Sequence, residues 1–585
     1  MKVGLSANGI NCSSFMGNLY DEAPILAVAK SFPGCPHTNN NTFMNKIFLS
    51  ITISLLLFSC SHKTSVDLIV KAATIYTIDS SFSVVESIAV KDGKIIASGS
   101  TAGLLKNYEA KESIDASGQF VYPGFIDAHA HFTGYGLGLQ TINLVGTESW
   151  EDVLHNLSDA RKTTDSTAWM IGRGWDQNDW PVKEFPSKEK LDALYPNRPV
   201  FLTRVDGHAA IANQKALDLA GIKPGVTLAG GTVEMKNGKL TGILVDNAVE
   251  LVRSKIPAPG IEATKEALLR AQNNCFAVGL TTVDDCGLDY EMIMLIDSLQ
   301  KTGDLKMRVY AMLSDHKKNF DFIASRGKIK TDYLNVRSFK VYGDGALGSR
   351  GACLLQPYND KPGWTGFLLS PATHFDSVAA VIYKMGFQMC THAIGDSGNR
   401  VILQTNARQL NGKNDLRWRI EHAQVINQSD FALFGENNII PSVQPTHATS
   451  DMYWAADRLG AERVKGAYAY NDLLKQNGWL PLGTDFPVED ISPFKTFYAA
   501  VVRKDAKGFP ANGFQTENAL TREQALRGMT IWAAKANFEE TEKGSLEKGK
   551  FADFIILDQD LMKTAPEKIL TTRVFATFIN GKKVN

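Results

Sequence analysis

Two histidines separated by one residue end an apolar run near residue 130. Residues 121–131 read VYPGFIDAHAH, which places His129 and His131 on either side of Ala130. Residues two apart in a strand point to the same side of the sheet, and imidazole nitrogens are common zinc ligands. The pair predicts a metal site, although most His-x-His pairs bind no metal and further ligands are needed.

Four further residues of ligand type follow other strand-like segments. Lys340 lies in SFKVYGDGALGSR, His392 in QMCTHAIGD, His422 in RWRIEHA and Asp485 in PLGTDFP. Singly, a strand lysine usually extends towards solvent and an aspartate before Phe-Pro usually caps a turn. Together with the first pair, they favour one centre holding one or two divalent ions, with zinc as the expected metal.

Lys340 can join such a centre only after a chemical change, because an ammonium group cannot ligate a cation. Reaction of the neutral amine with CO₂ gives an N6-carboxylated side chain, whose two oxygens can bridge two ions on the order of 3.5–4 Å apart. Burial and neighbouring positive charge are expected to favour the neutral amine.

The middle of the chain alternates strand-like and amphipathic helix-like segments, which predicts a parallel sheet. Eight strands fit an α/β fold of the (β/α)8 TIM-type barrel class, which places its chemistry at the C-terminal ends of the strands. The candidate ligands follow the first, fourth, fifth, sixth and eighth strands. The predicted strands are 121–127, 280–284, 307–312, 336–342, 387–391, 418–421, 439–443 and 480–483.

Both ends of the chain after residue 60 read as short strands with tight turns, which predicts a small composite β-sandwich built from both termini. An Asp92-Gly93 pair predicts a hairpin turn there. The predicted domains are residues 61–120 and 541–585 for the two parts of the sandwich and 121–540 for the barrel. A lobe is expected to be inserted at about 145–260, although a misassigned barrel strand in that segment is an alternative.

The segment from Met44 predicts export. Lys46 precedes an apolar stretch that is too short to span a bilayer, and small residues follow it. Leu57 to Cys60 resemble a lipobox, so residues 44–60 are expected to be a lipoprotein-type signal peptide, with a lipid on Cys60. A plain secretory signal is the alternative. Residues 1–43 are expected to be a non-native upstream extension.

The charge balance excludes some partners. The chain has 62 Lys and Arg residues and 62 Asp and Glu residues, so nucleic acid is not an expected partner. The seven cysteines form no CxxC pair, which argues against a structural zinc site. The expected partners are a small-molecule substrate and, through the lipid anchor, a membrane of the bacterial cell envelope. A homo-oligomer is an open alternative.

The chain resembles the amidohydrolase superfamily, and specifically its YtcJ-like branch of metal-dependent hydrolases (amidohydrolase 3). The resemblance covers nearly everything after residue 66. It implies the barrel, the composite sandwich, a centre of one or two metal ions and hydrolysis of a carbon–nitrogen bond other than a peptide bond. It rests on PGFIDAHAH, GRGWD, DGHAAIAN, GLTTVDD, KVYGDGALGSR, THAIGD, RIEHA, QPTHATSD, GTDFPV and GKFADFIILD.

The resemblance also implies roles for single residues. His129, His131 and Asp485 would hold the inner metal, Lys340 would be the carboxylated bridge, and His392 and His422 would hold the second metal. Asp485 would also be the catalytic acid and base. Four further residues are expected to contact substrate, against the alternative of purely structural roles: Trp175, His208, Arg350 and His447.

The predicted function is a metal-dependent amidohydrolase acting on an amide, N-acyl, formamide or cyclic amide bond. An esterase or lactonase using the same metal site is one alternative, because the same chemistry attacks either carbonyl. A catalytically inactive, lipid-anchored binding protein is another. A glycosidase is disfavoured because the strand ends carry histidines where paired carboxylates are needed.

Overall fold

The computed structural model describes residues 63–161 and 168–585. The predicted upstream extension (1–43) and the predicted signal peptide (44–60, with Cys60) lie outside the described residues. Within the described ranges, no helix has both the length and the apolar character needed to cross a membrane.

The largest sheet forms the barrel. Seven parallel strands follow one another in a continuous order, and the short strand Ile329–Lys330 pairs antiparallel with one of them. The seven strands, in chain order, are Phe125–Ala130, Leu280–Leu288, Arg308–Ser314, Leu334–Tyr342, Gln388–Ala393, Arg419–His422 and Ile440–Ser442.

The segment around Leu482 closes the barrel between its last and first strands. Val443 and Leu482 form a parallel bridge. The backbone N–H of Gly483 donates to the carbonyl of Val443 at 3.0 Å, and that of Ala128 donates to the carbonyl of Leu482 at 3.2 Å. The predicted TIM-type class is thus confirmed, with the eighth strand reduced to these few contacts.

The predicted strand 121–127 is wrong in its bounds, because it is two strands in different sheets. Phe120–Pro123 pairs within the sandwich, and Phe125–Ala130 begins the barrel. Gly124 lies between them, where a Cβ atom would lie 2.3 Å from Thr281. Both strands are apolar and buried, so the sequence pattern carries no sign of the change of sheet.

Two sheets form the sandwich, and the two ends of the described chain contribute to it, which confirms that part of the fold prediction. Asp92 and Gly93 both have positive φ, at 51° and 76°, as the predicted hairpin turn requires. The strands in sheet order are Lys94–Gly99, Ser87–Lys91, Thr64–Lys71 and Tyr108–Asp115, and then Lys582–Lys583, Val574–Ile579, Phe554–Leu557, Phe120–Pro123, Thr74–Tyr76 and Val84–Val85.

A separate six-stranded sheet, the lobe sheet, lies between the first two barrel strands in sequence. Its apolar core includes Leu144, Trp175, Leu202 and Ile243. Its strands in sheet order are Gly231–Lys236, Lys239–Asp246, Ala209–Ala212, Val200–Arg204, Met170–Trp175 and Ile142–Asn143, and its helices are Trp150–Arg161, Glu189–Leu194, Gln214–Leu219 and Asn247–Arg253.

Amphipathic helices connect the barrel strands and bury their apolar faces against the barrel core. The remaining described helices are Thr101–Asn107, Phe132–Gly138, Ile261–Ala277, Tyr290–Thr302, Lys317–Arg326, Ala372–Lys384, Asp396–Leu410, Phe431–Glu436, Pro445–Asp451, Ala455–Arg463, Tyr470–Asn477, Pro493–Val502, Arg522–Gly528, Ile531–Ala536 and Pro566–Ile569, with 3-10 turns at Gln177–Asp179, Gln428–Asp430, Val464–Gly466 and Thr516–Asn518.

Candidate metal centre

The barrel brings the six predicted ligands together at the C-terminal ends of its strands. Two of them, His422 and Asp485, have left-handed backbones, with φ of 74° and 63°. Residues other than glycine seldom adopt this conformation, and strained backbones of this kind cluster at functional sites as well as in turns. All six are buried except His131, which is partly exposed: His129, His131, Lys340, His392, His422 and Asp485.

His129, His131 and Asp485 form the tightest group. Asp485 Oδ1 lies 3.2 Å from His131 Nε2 and 3.6 Å from His129 Nε2. The backbone N–H of Asp485 donates to the carbonyl of His129 at 2.8 Å, which ties the two strand ends together. One ligand atom from each residue lies within 4.8 Å of the others. Two imidazoles and one carboxylate at this spacing suit a divalent ion such as zinc.

Hydrogen bonds orient two of the histidines. Glu421 Oε2 lies 2.6 Å from His129 Nδ1, and Gln444 Oε1 lies 2.8 Å from His422 Nδ1. An acceptor at Nδ1 places the proton there and leaves Nε2 with a lone pair for a metal. Burial alone would raise the pKa of Glu421, but His129 and Arg419 lower it to about 2, so Glu421 is a charged acceptor.

His392 and His422 pack edge to face, with ring centroids 4.6 Å apart. Burial and the neighbouring positive groups hold the pKa of both histidines well below the usual value, so both rings are neutral. Two buried atoms of the cluster, His392 Nε2 and Asp485 Oδ1, have no hydrogen-bond partner within the described part of the chain. Neutral imidazoles and unsatisfied ligand atoms fit a metal-binding role.

Lys340 lies beside His129, with its Nζ 3.1 Å from His129 Nε2, and is fully buried. Burial lowers the pKa of Lys340, but the surrounding groups, Glu421 and Asp485 among them, outweigh burial and raise it above its usual value. The expectation that these surroundings favour the neutral amine is therefore wrong for the unmodified side chain.

His447 lies against the same cluster. Its Nε2 is 3.2 Å from Asp485 Oδ2, and its Nδ1 is 3.0 Å from Glu489 Oε1. Ligand atoms of His422, His447 and Asp485 lie within 4.8 Å of one another. The sequence predicted His447 as a substrate contact, and this geometry makes it a candidate ligand as well.

A cavity of about 220 Å³ opens over the cluster, between the barrel and the lobe sheet. His208 lines it from the lobe, with its ring centroid 5.0 Å from that of His392. Asp246 Oδ1 lies 2.6 Å from His208 Nδ1. Burial lowers the pKa of His208, but Asp246 outweighs burial and raises it. The predicted substrate contact His208 is thus at the cavity, held by a carboxylate.

The structure corrects two other predicted substrate contacts. The Trp175 indole is fully buried in the core of the lobe sheet and donates from Nε1 to the carbonyl of Leu202 at 2.9 Å. Arg350 forms an ion pair with Asp360 at 2.8 Å. Neither side chain lines the cavity. Trp175 is therefore a structural residue of the lobe core, and the side chain of Arg350 is held in a salt bridge.

Sequence reasoning missed Glu421, Asp246 and Arg204. Glu421 precedes His422 in RIEH, and strict strand alternation would point the two side chains to opposite faces. The left-handed backbone of His422 breaks that alternation. Arg204 lies at the end of a lobe strand and forms ion pairs with Asp176 and Asp206, partners that no local pattern indicates.

Asp344, in the glycine-rich loop after Lys340, does not take part in the tight ligand groups. Its carboxylate accepts the backbone N–H groups of Cys353, Ile394 and Gly395 at 2.8–2.9 Å. These bonds join the loop after Lys340 to the loop after His392, so Asp344 holds the two loops in place.

Comparison with known sequences gives a consistent group of relatives. The amidohydrolase family (Amidohydro_3) matches residues 112–585. Protein LONG AFTER FAR-RED 3 of Arabidopsis thaliana is 33% identical over 88% of this chain and 91% of its own length. Putative amidohydrolase YtcJ of Bacillus subtilis is 29% identical over 85% and 96%. N-substituted formamide deformylase of Arthrobacter pascens is 24% identical over 88% and 97%.

Solved structures include a similar protein. The crystal structure of an uncharacterized metal-dependent hydrolase from Pyrococcus horikoshii has a TM-score of 0.70 with this chain and 28% sequence identity. The match covers 85% of this chain and 99% of the other.

Proposed function

The chain belongs to the amidohydrolase family, and from that premise we propose that it is a metal-dependent hydrolase of carbon–nitrogen bonds other than peptide bonds. One observation carries the proposal: His129, His131 and Asp485 meet within 4.8 Å at the floor of a cavity. The other three predicted ligands adjoin this group: His392, His422 and Lys340. The donor set of imidazoles and a carboxylate favours zinc, in one or two ions.

The proposed metal site is largely prepared by the protein. Glu421 and Gln444 hold two imidazole rings in the tautomer that presents Nε2. When bound, a divalent ion supplies Lewis-acid polarisation of the scissile carbonyl and lowers the pKa of a coordinated water.

Asp485 is the proposed catalytic acid and base. Burial would raise its pKa, but contacts with His131 and His447 hold the pKa well below the usual value, so the carboxylate is ionised. It can accept the proton of an attacking water and return it to the leaving nitrogen. His447 contacts the other oxygen of the same carboxylate and fixes its orientation.

Lys340 is the proposed bridge between two ions, in its N6-carboxylated form. Its burial at the strand end and its 3.1 Å contact with His129 Nε2 support this role. Carboxylation also replaces a buried ammonium, which would oppose metal binding, by an anion that favours it.

The proposed bond class draws support from the relatives. One relative is named as a deformylase of N-substituted formamides and another as a putative amidohydrolase. His208 lines the cavity from the lobe. Burial lowers its pKa but Asp246 at Nδ1 raises it, and in the protonated form Nε2 can donate to a carbonyl oxygen as negative charge develops.

Export to the cell envelope and a lipid on Cys60 are proposed from the sequence from Met44 to Cys60. Labelling cells with a radioactive fatty acid tests this directly. We expect the full chain to carry the label. The Cys60→Ser variant should lose the label and leave the membrane fraction. An unlabelled wild-type protein would contradict the anchor.

The central test measures metal content, the native mass of the intact protein and hydrolysis on one sample. We expect one or two zinc equivalents, and an added carboxylate on Lys340 under native conditions if two ions bind. We also expect hydrolysis of at least one class among N-formyl amines, N-acyl amines and cyclic amides. Turnover of esters alone, or full activity after chelation, would contradict the proposal.

A further inference from the structure

The cationic side chains that line the cavity, apart from the predicted ligands on the barrel strands, already contact carboxylates of the protein. A substrate carboxylate would find no free cationic partner among these described side chains, and it would lie near protein carboxylates instead. The contacts are Arg204 with Asp176 and Asp206, His208 with Asp246, and His447 with Asp485 and Glu489.

Arg204 illustrates why these cations are unavailable. It is 2% exposed, and its Nε also donates to Gln177 Oε1 at 2.9 Å. Arg350, which the sequence predicts as a substrate contact, pairs with Asp360, and so does Arg458. The side chains that recognise anions elsewhere are therefore used here to hold the protein together.

Asp179 is different from the other carboxylates of the cavity. It lines the cavity and is exposed, and its carboxylate accepts no hydrogen bond and forms no ion pair in the described ranges. It ends the 3-10 turn Gln177–Asp179, which the side chain of Asp176 caps. Desolvation and the charges of Asp176 and Glu489 raise the pKa of Asp179 to about 6, so it is ionised at pH 8.

We propose that the cavity selects substrates whose end remote from the scissile bond carries a positive charge, such as a protonated amine, bound by Asp179. This rests on the proposed function and names the substrate class within it. Asp179 is a specificity-determining residue in this proposal, and the strand-end cluster carries out the chemistry.

Three amides of equal length with one common acyl group test the selection at pH 8. They are the mono-N-acyl derivative of 1,5-diaminopentane, the N-acyl hexylamine and the N-acyl 6-aminohexanoate. We expect kcat/KM of the metal-loaded enzyme to be at least about tenfold higher for the ammonium than for the carboxylate compound. Equal or better hydrolysis of the carboxylate compound would overturn the proposal.

Asp179→Asn identifies the residue responsible. The ratio of kcat/KM for the ammonium compound to that for the neutral compound is expected to fall about fivefold, as for an exposed ion pair. Glu184→Gln removes the same charge from an exposed position five residues along the same segment and outside the cavity, and should leave this ratio unchanged. An unchanged ratio in Asp179→Asn, or an equal fall in the control, would refute the role of Asp179.

A binding measurement separates this inference from the proposed function. Phenyltrimethylammonium carries a positive charge but no lone pair for a metal, so calorimetry with the metal-loaded protein reports the cation site alone. Saturable binding that weakens at least about threefold in Asp179→Asn, and not in Glu184→Gln, supports the proposal. No binding, or equal binding by Asp179→Asn, overturns it. Failure to hydrolyse any amide would instead overturn the proposed function and leave this result standing.

Discussion

The two walls of the cavity differ in how they hold their polar side chains. The barrel wall is made of the six strand-end residues named above, and its His392 Nε2 and Asp485 Oδ1 have no hydrogen-bond partner in the described part of the chain. The lobe wall pairs its cations, Arg204 and His208, with carboxylates of the lobe. We therefore propose that the barrel wall carries out the chemistry and that the lobe wall provides shape and selectivity.

The strongest test of this division removes the base from the barrel wall. Asp485→Asn keeps the shape of the side chain but cannot accept the proton, so we expect kcat to fall by about a thousandfold. Thermal unfolding should be little changed. Asp490→Asn, an exposed position on the same loop, is the matched control and should keep its activity. Normal turnover by Asp485→Asn would mean that the barrel wall lacks the assigned role.

The next largest effect concerns the buried residue behind the barrel wall. Glu421→Gln removes the charge that accepts from His129 Nδ1 at 2.6 Å. Metal affinity, measured by competition with a chelator, is expected to fall by about 10- to 100-fold. The exposed Glu436→Gln serves as the control and should bind metal normally. Wild-type affinity in Glu421→Gln would show that the hydrogen bond does not prepare the site.

The smallest effect is expected in the lobe wall. Asp246→Asn preserves the fit against Gly345 and Gly351, where a Cβ atom would lie 2.4 and 2.2 Å from the carboxylate. It removes the charge that holds His208, so kcat/KM should fall by about tenfold. Metal content should stay normal. Asp218→Asn, exposed on a lobe helix, is the control.

A loss of metal in Asp246→Asn would contradict the division between the walls, because the lobe would then help to hold the ion. Wild-type kcat/KM in this variant would instead remove His208 from the proposed interaction with substrate.

Much of the barrel wall could be predicted from the sequence. The apolar runs before His392, His422 and Asp485 identified strands, and parallel strands of a barrel end on the same side. Residue type then indicated a metal. The predicted order of the strands matches the sheet. The break at Gly124 was missed, because two buried strands of different sheets have the same apolar composition.

The sequence by itself determined the class of the fold and the set of residues that can bind metal, because both depend on local patterns and residue types. Only the tertiary structure decided which polar groups are free. Glu421 reaches His129, Asp246 reaches His208, and Arg350 turns to Asp360. These partners come from segments that are far apart in sequence. The free energy of a polar side chain in the cavity depends on whether such a partner already contacts it.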